Sequence, residues 1–155
     1  MLAPFLMGLV GGQRAMTPLA AVSIAAARGE LAEDNGAPTL LANPLVAAGT
    51  LALAIGEMAG DKQPTAPDRI VPVGLIGRFT TAAIAGAALS SKKDRWRGAA
   101  VGGLTALVAS FPGWYARAIA INYKGQSATG FVEDAAVLAG AAAIVRLGAP
   151  TPAGA

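Results

Sequence analysis

The sequence predicts an all-α fold: a polytopic membrane helix bundle with about five transmembrane helices. Three observations carry this. Apolar runs of spanning length alternate with short polar stretches. Hydrophobic residues make up 54% of the 155-residue chain and charged residues only 14%, against about a quarter charged in soluble domains. The runs are apolar nearly all round, whereas a surface helix of a soluble bundle shows a polar stripe.

The first segment runs from Leu2 to Ala27. Gly8, Gly11 and Gly12 loosen it, and Thr17-Pro18 reads as an N-cap followed by proline at the first helical position. A helix broken near its middle is the expectation. No positive n-region precedes the segment and Arg14 falls inside it, so a cleaved signal peptide is not expected. Residues 28–43 read as a loop. The second segment starts at Pro44 and ends at Asp61, and a proline-stiffened loop follows. The third runs from Ile70 to Ser91, with Arg78 about two turns in. The basic stretch 92–97 carries Trp96, which suits the headgroup level. The fourth segment, Gly98 to Ile121, contains Ser110-Phe111-Pro112-Gly113, read as a second break, and then Arg117. The fifth, Phe131 to Leu147, opens with Glu133 and Asp134. One transmembrane domain covers 1–148, and 149–155 reads as a disordered tail.

Small residues recur four apart at Gly56/Gly60, Gly98/Gly102, Ala82/Gly86 and Ala136/Gly140, a spacing that lets helix backbones approach closely. Five alternating crossings place Glu57, Asp61, Arg78, Arg117, Glu133 and Asp134 towards the side on which the N-terminus lies, with Arg14 deeper. The opposite side holds Arg28, Lys92, Lys93, Arg95, Arg97 and Arg146. By the positive-inside rule that side is cytoplasmic. The expectation is therefore a multi-pass protein of a bacterial inner membrane, with its N-terminus outside and its C-terminus cytoplasmic. The breaks in segments one and four also suggest an inverted repeat, a sequence pointer to transporter-type sites.

Ionisable residues inside a membrane are costly and mark function by default. The ligand-binding candidates are Arg14, Arg78 and Arg117 for positive charge, and Thr17 and Ser110 beside helix N-termini. Glu57, Asp61, Glu133 and Asp134 would hold the arginines in place. Glu57 or Asp61 is expected to pair with Arg78 or Arg117. This set suits a transporter or channel-like protein for a small anionic solute. It equally suits a structural or assembly protein whose charges only pair internally. A lipid-headgroup binder is a third reading, since paired carboxylates such as Glu57 and Asp61 can hold Mg²⁺ against a phosphate.

The chain has no cysteine and no histidine. This removes disulfides, the usual zinc sites and histidine general bases. No nucleophile elbow or phosphate loop is present, and neither an enzyme nor a cofactor is expected. The pI near 9.7 reflects loop asymmetry better than a nucleic-acid footprint, because the positive charge is thinly spread. The expected partners are the lipid bilayer, a small anionic solute or lipid headgroup, and a second copy of the chain, a homodimer being the default.

Several motifs carry a resemblance. They are Gly11 to Pro18 (Gly-Gly-Gln-Arg-Ala-Met-Thr-Pro), Gly56-Glu57 with Asp61-Lys62 and Pro64, Gly74-Leu75 with Gly77-Arg78, and Glu133-Asp134. Together they resemble a family of small bacterial integral membrane proteins known only as a domain of unknown function, over most of the chain from Gly8 to about Leu147. The resemblance implies a polytopic inner-membrane protein and brings no established activity.

Overall fold

The computed structural model describes residues 1–60, 71–124 and 126–148. Asp61, the loop to Ile70 and the tail 149–155 lie outside the described residues. The described part is all-helical, with six α-helices: α1 (Leu2–Gln13), α2 (Met16–Ala27), α3 (Pro44–Gly60), α4 (Pro72–Ala88), α5 (Arg95–Lys124) and α6 (Gln126–Gly148). Short 3-10 turns at Thr39–Ala42 and Lys92–Asp94 join α2 to α3 and α4 to α5.

Local chemistry explains several boundaries. Proline opens α3, and Pro72 opens α4, where its missing N–H costs nothing and its fixed φ suits the first turn. Gly29 takes φ +69, a left-handed conformation that ends α2. Its amide reaches the Ala26 carbonyl at 3.1 Å and the next amide, of Glu30, reaches Ala25 at 2.9 Å.

The directions of the helices follow from who meets whom. A Cβ added at Gly86 would strike Gly98, and one at Gly103 would lie 2.7 Å from Phe79, so α4 and α5 are antiparallel. Along α1, Gly8 abuts Gly102 and Thr105, and Gly12 abuts Ala109, so α1 and α5 run parallel. α1 opposes α6, since Val10 lies against Gly140 while Arg14 reaches Asp134. α2 instead runs with α4 and α6. Its first turn meets Thr81, and the loop just beyond its end meets Ala87, Ser90 and Ser91.

The chain therefore doubles back at Arg14 and Ala15. α1 and α2 form a V-shaped hairpin held among the four longer helices. Both its legs point to the end of the bundle that carries Arg28, Lys92, Lys93, Arg95, Arg97 and Arg146. We call this the basic end. The apolar core lies between the hairpin and that end, with Met7, Val10, Val22, Ala25, Ala85 and Ile144 among its members.

This arrangement corrects the expectations in four places. First, the apolar segment 2–27 is not one crossing but a hairpin, so the N-terminal turn lies at the same end as the close of α6. Hydropathy sees no reversal there, because it is made by one extended residue, Arg14 at φ −137 and ψ 120. Second, α5 runs unbroken through Pro112. Proline cannot donate to the ladder, but the Gln13 side-chain amide donates to the nearby Ala109 carbonyl at 3.5 Å and packs against Gly113. Third, α1 and α5 are parallel and α5 is continuous, so the described residues do not form the opposed broken helices that an inverted repeat requires.

Fourth, among the described residues no helix is long and apolar enough to cross a membrane. α1 and α2 have 12 residues each, and α3 and α4 have 17 each. Seventeen residues rise roughly 25 Å, against about 30 Å of hydrocarbon. α5 and α6 are longer, but the uncharged stretch of α5 is diluted by glycines, Ser110, Pro112 and Trp114, and α6 carries Glu133, Asp134 and Arg146.

Of the small-residue pairs, Ala82/Gly86 and Gly98/Gly102 form the tight α4–α5 contact, where a Cβ at residue 86 or 102 would meet backbone carbonyls. Among the described residues a Cβ at Gly56 or Gly60 would meet nothing within 4 Å, so no described helix makes the close approach expected there. At Gly140 the nearest atom, on Val10, is 3.8 Å away, an ordinary contact.

Candidate functional site

The apex of the hairpin gathers most of the buried polar groups. Arg14 caps the C-terminal end of α1, its amide bonded to the Val10 carbonyl at 3.0 Å, and only 1% of it is exposed. Its Nε donates to Asp134 Oδ1 at 2.9 Å, and Nη2 lies 2.6 Å from the same oxygen and 3.8 Å from Glu133 Oε2. The last turn of a helix carries partial negative charge, so a cation suits this position. α6 supplies the matching carboxylates.

One residue later the polarity inverts. The exposed amides of α2's first turn face Glu57 from α3. Ala15 N–H donates to Glu57 Oε1 at 2.7 Å and Met16 N–H donates to Oε2 at 2.8 Å. A carboxylate on a helix N-terminus satisfies orphan donors and meets the positive end of the dipole. Thr81 of α4 completes the grip by donating to the Ala15 carbonyl at 2.5 Å, with the Gly77 carbonyl an alternative acceptor at 2.9 Å. Three helices thus fix one two-residue reversal through side chains, and charged groups make the strongest bonds.

The candidate residues fall as follows. Arg14, Glu57, Glu133 and Asp134 meet at the apex. Arg78 is buried on α4, one turn before Thr81. Both oxygens of Glu57 go to backbone amides, because the reversal presents two free N–H groups at its depth; the expected pairings that involve Asp61 or Arg117 fall outside the described residues. Thr17 is not an N-cap. It lies inside the first turn of α2, 2% exposed, and its hydroxyl has no hydrogen-bond partner among the described residues. Glu57 does the capping in its place. Ser110 is not at a helix start either. It is buried in mid-α5 and donates to the Ala106 carbonyl at 2.8 Å. Asp61 and the side chain of Arg117 lie outside the described residues.

Sequence reasoning missed the amides of Ala15 and Met16, because seeing them requires seeing the reversal. It also missed Thr81, which follows Arg78 by three and so shares its helix face. Among the described residues no group of three or more acidic side chains is placed to hold a metal ion.

A cavity of about 380 Å³ opens beside the apex, between α2, α3 and α6. Thr17, Ala54 and Leu138 line it; Thr17 follows Arg14 by three residues, and Ala54 and Leu138 are one helical turn from Glu57 and Asp134 respectively. At its other end stand Arg28, Glu30 and Arg146.

No family model matches the chain, and comparison with the curated proteins and the solved structures likewise yields no match. The resemblance drawn from residues 11–18 and their companion motifs rests on those motifs alone.

Proposed function

We propose that the chain is a small integral membrane protein and that the hairpin apex at Arg14 is the anion-accepting site of a transporter or channel-like pathway. The reversal at Arg14 carries this reading. Non-helical backbone at membrane depth is tolerated only where protein buries it or a cavity meets it. Half-helix ends meeting at depth are a recurring way to build ion and solute sites. Here the carboxylates of Asp134 and Glu57 hold the two places an anionic group would take, at a guanidinium and at a helix N-terminus.

Exposure supports the membrane part. Leu45 is 81% exposed and Val73 79%. Val108, Val132, Phe131 and Tyr115 stand out on α5 and α6. Apolar patches on this scale mark a membrane or protein contact. A bilayer takes up the few ångströms by which α3 and α4 fall short through local thinning. The basic end then faces the cytoplasm. The hairpin makes the N-terminus cytoplasmic too.

Reporter fusions at the N-terminus, in 92–97 and after Gly148 should all report cytoplasm. An external N-terminus with an internal C-terminus would restore five crossings and sink the hairpin topology.

A second reading has its own support: each apex group named above is bonded internally, which a purely structural clamp also requires. Thermal unfolding in detergent at constant ionic strength separates the two, with chloride, phosphate, acetate and pyruvate as probes. A ligand that binds only the folded state at 100 times its Kd adds about 2.7 kcal/mol. One of these anions should raise the Tm of the wild type and leave the Arg14→Met/Asp134→Asn protein unmoved. If none shifts the wild type, or if the shift survives in the double variant, the clamp reading stands.

A further inference from the structure

The cavity between α2, α3 and α6 has a composition that the apex does not explain. Its long wall is apolar, formed by Ala20, Ile24, Leu51, Ala141 and Val145 among others. From Thr17 to Arg28 it follows eleven residues of helix, roughly 16 Å at the helical rise. The volume lies within the range of about 300–1,000 Å³ typical of ligand sites.

Its polar groups stand almost entirely at the rim. Arg28 and Arg146 supply two positive charges there and Glu30 one negative. The Arg28–Glu30 pair spans 3.9 Å between exposed side chains, too long and too hydrated to neutralise the rim. Arg146 makes no ion pair among the described residues.

We infer that this cavity holds one acyl chain of an anionic phospholipid, with the phosphate at Arg28 and Arg146 and the chain running inward towards Thr17. The assignment rests on the membrane reading but not on the anion pathway. A small polar solute would find little along the wall to orient it, whereas an acyl chain needs only apolar surface. The rim is positive and an anionic headgroup is its complement. The basic end is the one placed at the cytoplasmic leaflet, where anionic lipids draw Lys and Arg close to the membrane surface. Filling the cavity brings the end of an apolar chain to Thr17, beside the apex.

The test is native mass spectrometry of the full chain released from nanodiscs made of equal parts phosphatidylglycerol and phosphatidylcholine. The wild type should retain phosphatidylglycerol several-fold over phosphatidylcholine. Arg28→Gln with Arg146→Gln, both at exposed positions, should bring that ratio to about one. Ala142→Phe, which fills the cavity, should remove retained lipid of both kinds. Equal retention by the wild type would overturn the inference, as would a preference that survives the double arginine change. So would a cavity-filled variant that loses a second copy of the chain instead of lipid. In each of those cases the protein still enters nanodiscs and the membrane reading stands. Failure to enter them at all would overturn both.

Discussion

Arg14→Met should leave the protein largely unfolded in detergent, and adding Asp134→Asn should restore much of its stability. The guanidinium is buried and its Nε and Nη2 converge on one oxygen of Asp134. Removing it strands a buried carboxylate, with Glu133 close behind. Breaking one partner of a buried pair typically costs about 3–5 kcal/mol. That is a large part of a stability of about 5–15 kcal/mol. Neutralising Asp134 as well removes the stranded charge, so the double variant should melt well above the Arg14→Met protein. Arg14→Lys should not substitute, because a lysine keeps the charge but has no planar fork. Melting of the single and double variants in one detergent gives the coupling energy. A coupling near zero would mean that Arg14 draws its stability from elsewhere.

Glu57→Ala should be the second most damaging single change at the apex, and its damage should be local. Both oxygens of Glu57 are committed to the amides of Ala15 and Met16. Hydrogen bonds to a charged group contribute about 1.5–3 kcal/mol each, and two orphan donors would remain. Glu57→Gln keeps one acceptor but turns an NH₂ group towards the other donor, so it should lose about half as much. Hydrogen exchange is the discriminating measurement. In the Ala variant the amides of Ala15 and Met16 should exchange faster than those in the middle of α2. Uniform acceleration along α2 would point to lost packing rather than a lost cap.

What the sequence revealed and what it hid divide along physical lines. Helix content followed from long alanine-rich runs and their proline starts, which are local signals. That buried arginines and carboxylates would lie together was also legible, because the cost of burying charge forces partners to find each other. The particular match of Arg14 with Asp134 was not, since the five-crossing topology set Arg14 deeper than the carboxylates. The direction of the chain was hidden. Arg14-Ala15 reverses it without a turn signature, since the reversal is stabilised by Glu57 and Thr81 from other helices. Pro112 misled because a proline reads as a break, whereas α5 continues through it, with the Gln13 side chain packed alongside at Ala109 and Gly113. Glycine spacing pointed to tight packing, which the structure places between α4 and α5 at Ala82/Gly86 and Gly98/Gly102. It was silent about which helices meet and which pairs, as at Gly56 and Gly60, have no close neighbour among the described residues.

The span of the apex contacts sets an order of assembly during synthesis. Glu57 is 42 residues from Ala15, but Asp134 is 120 residues from Arg14. At typical translation speeds those 120 residues take roughly 6–24 s. For that interval α3 can already receive the amides of α2 while the guanidinium has neither of its carboxylates. The hairpin is thus the first element made and the last completed. Its charged tip can settle into an apolar interior only when α6 emerges, which makes the final helix the one that closes the fold.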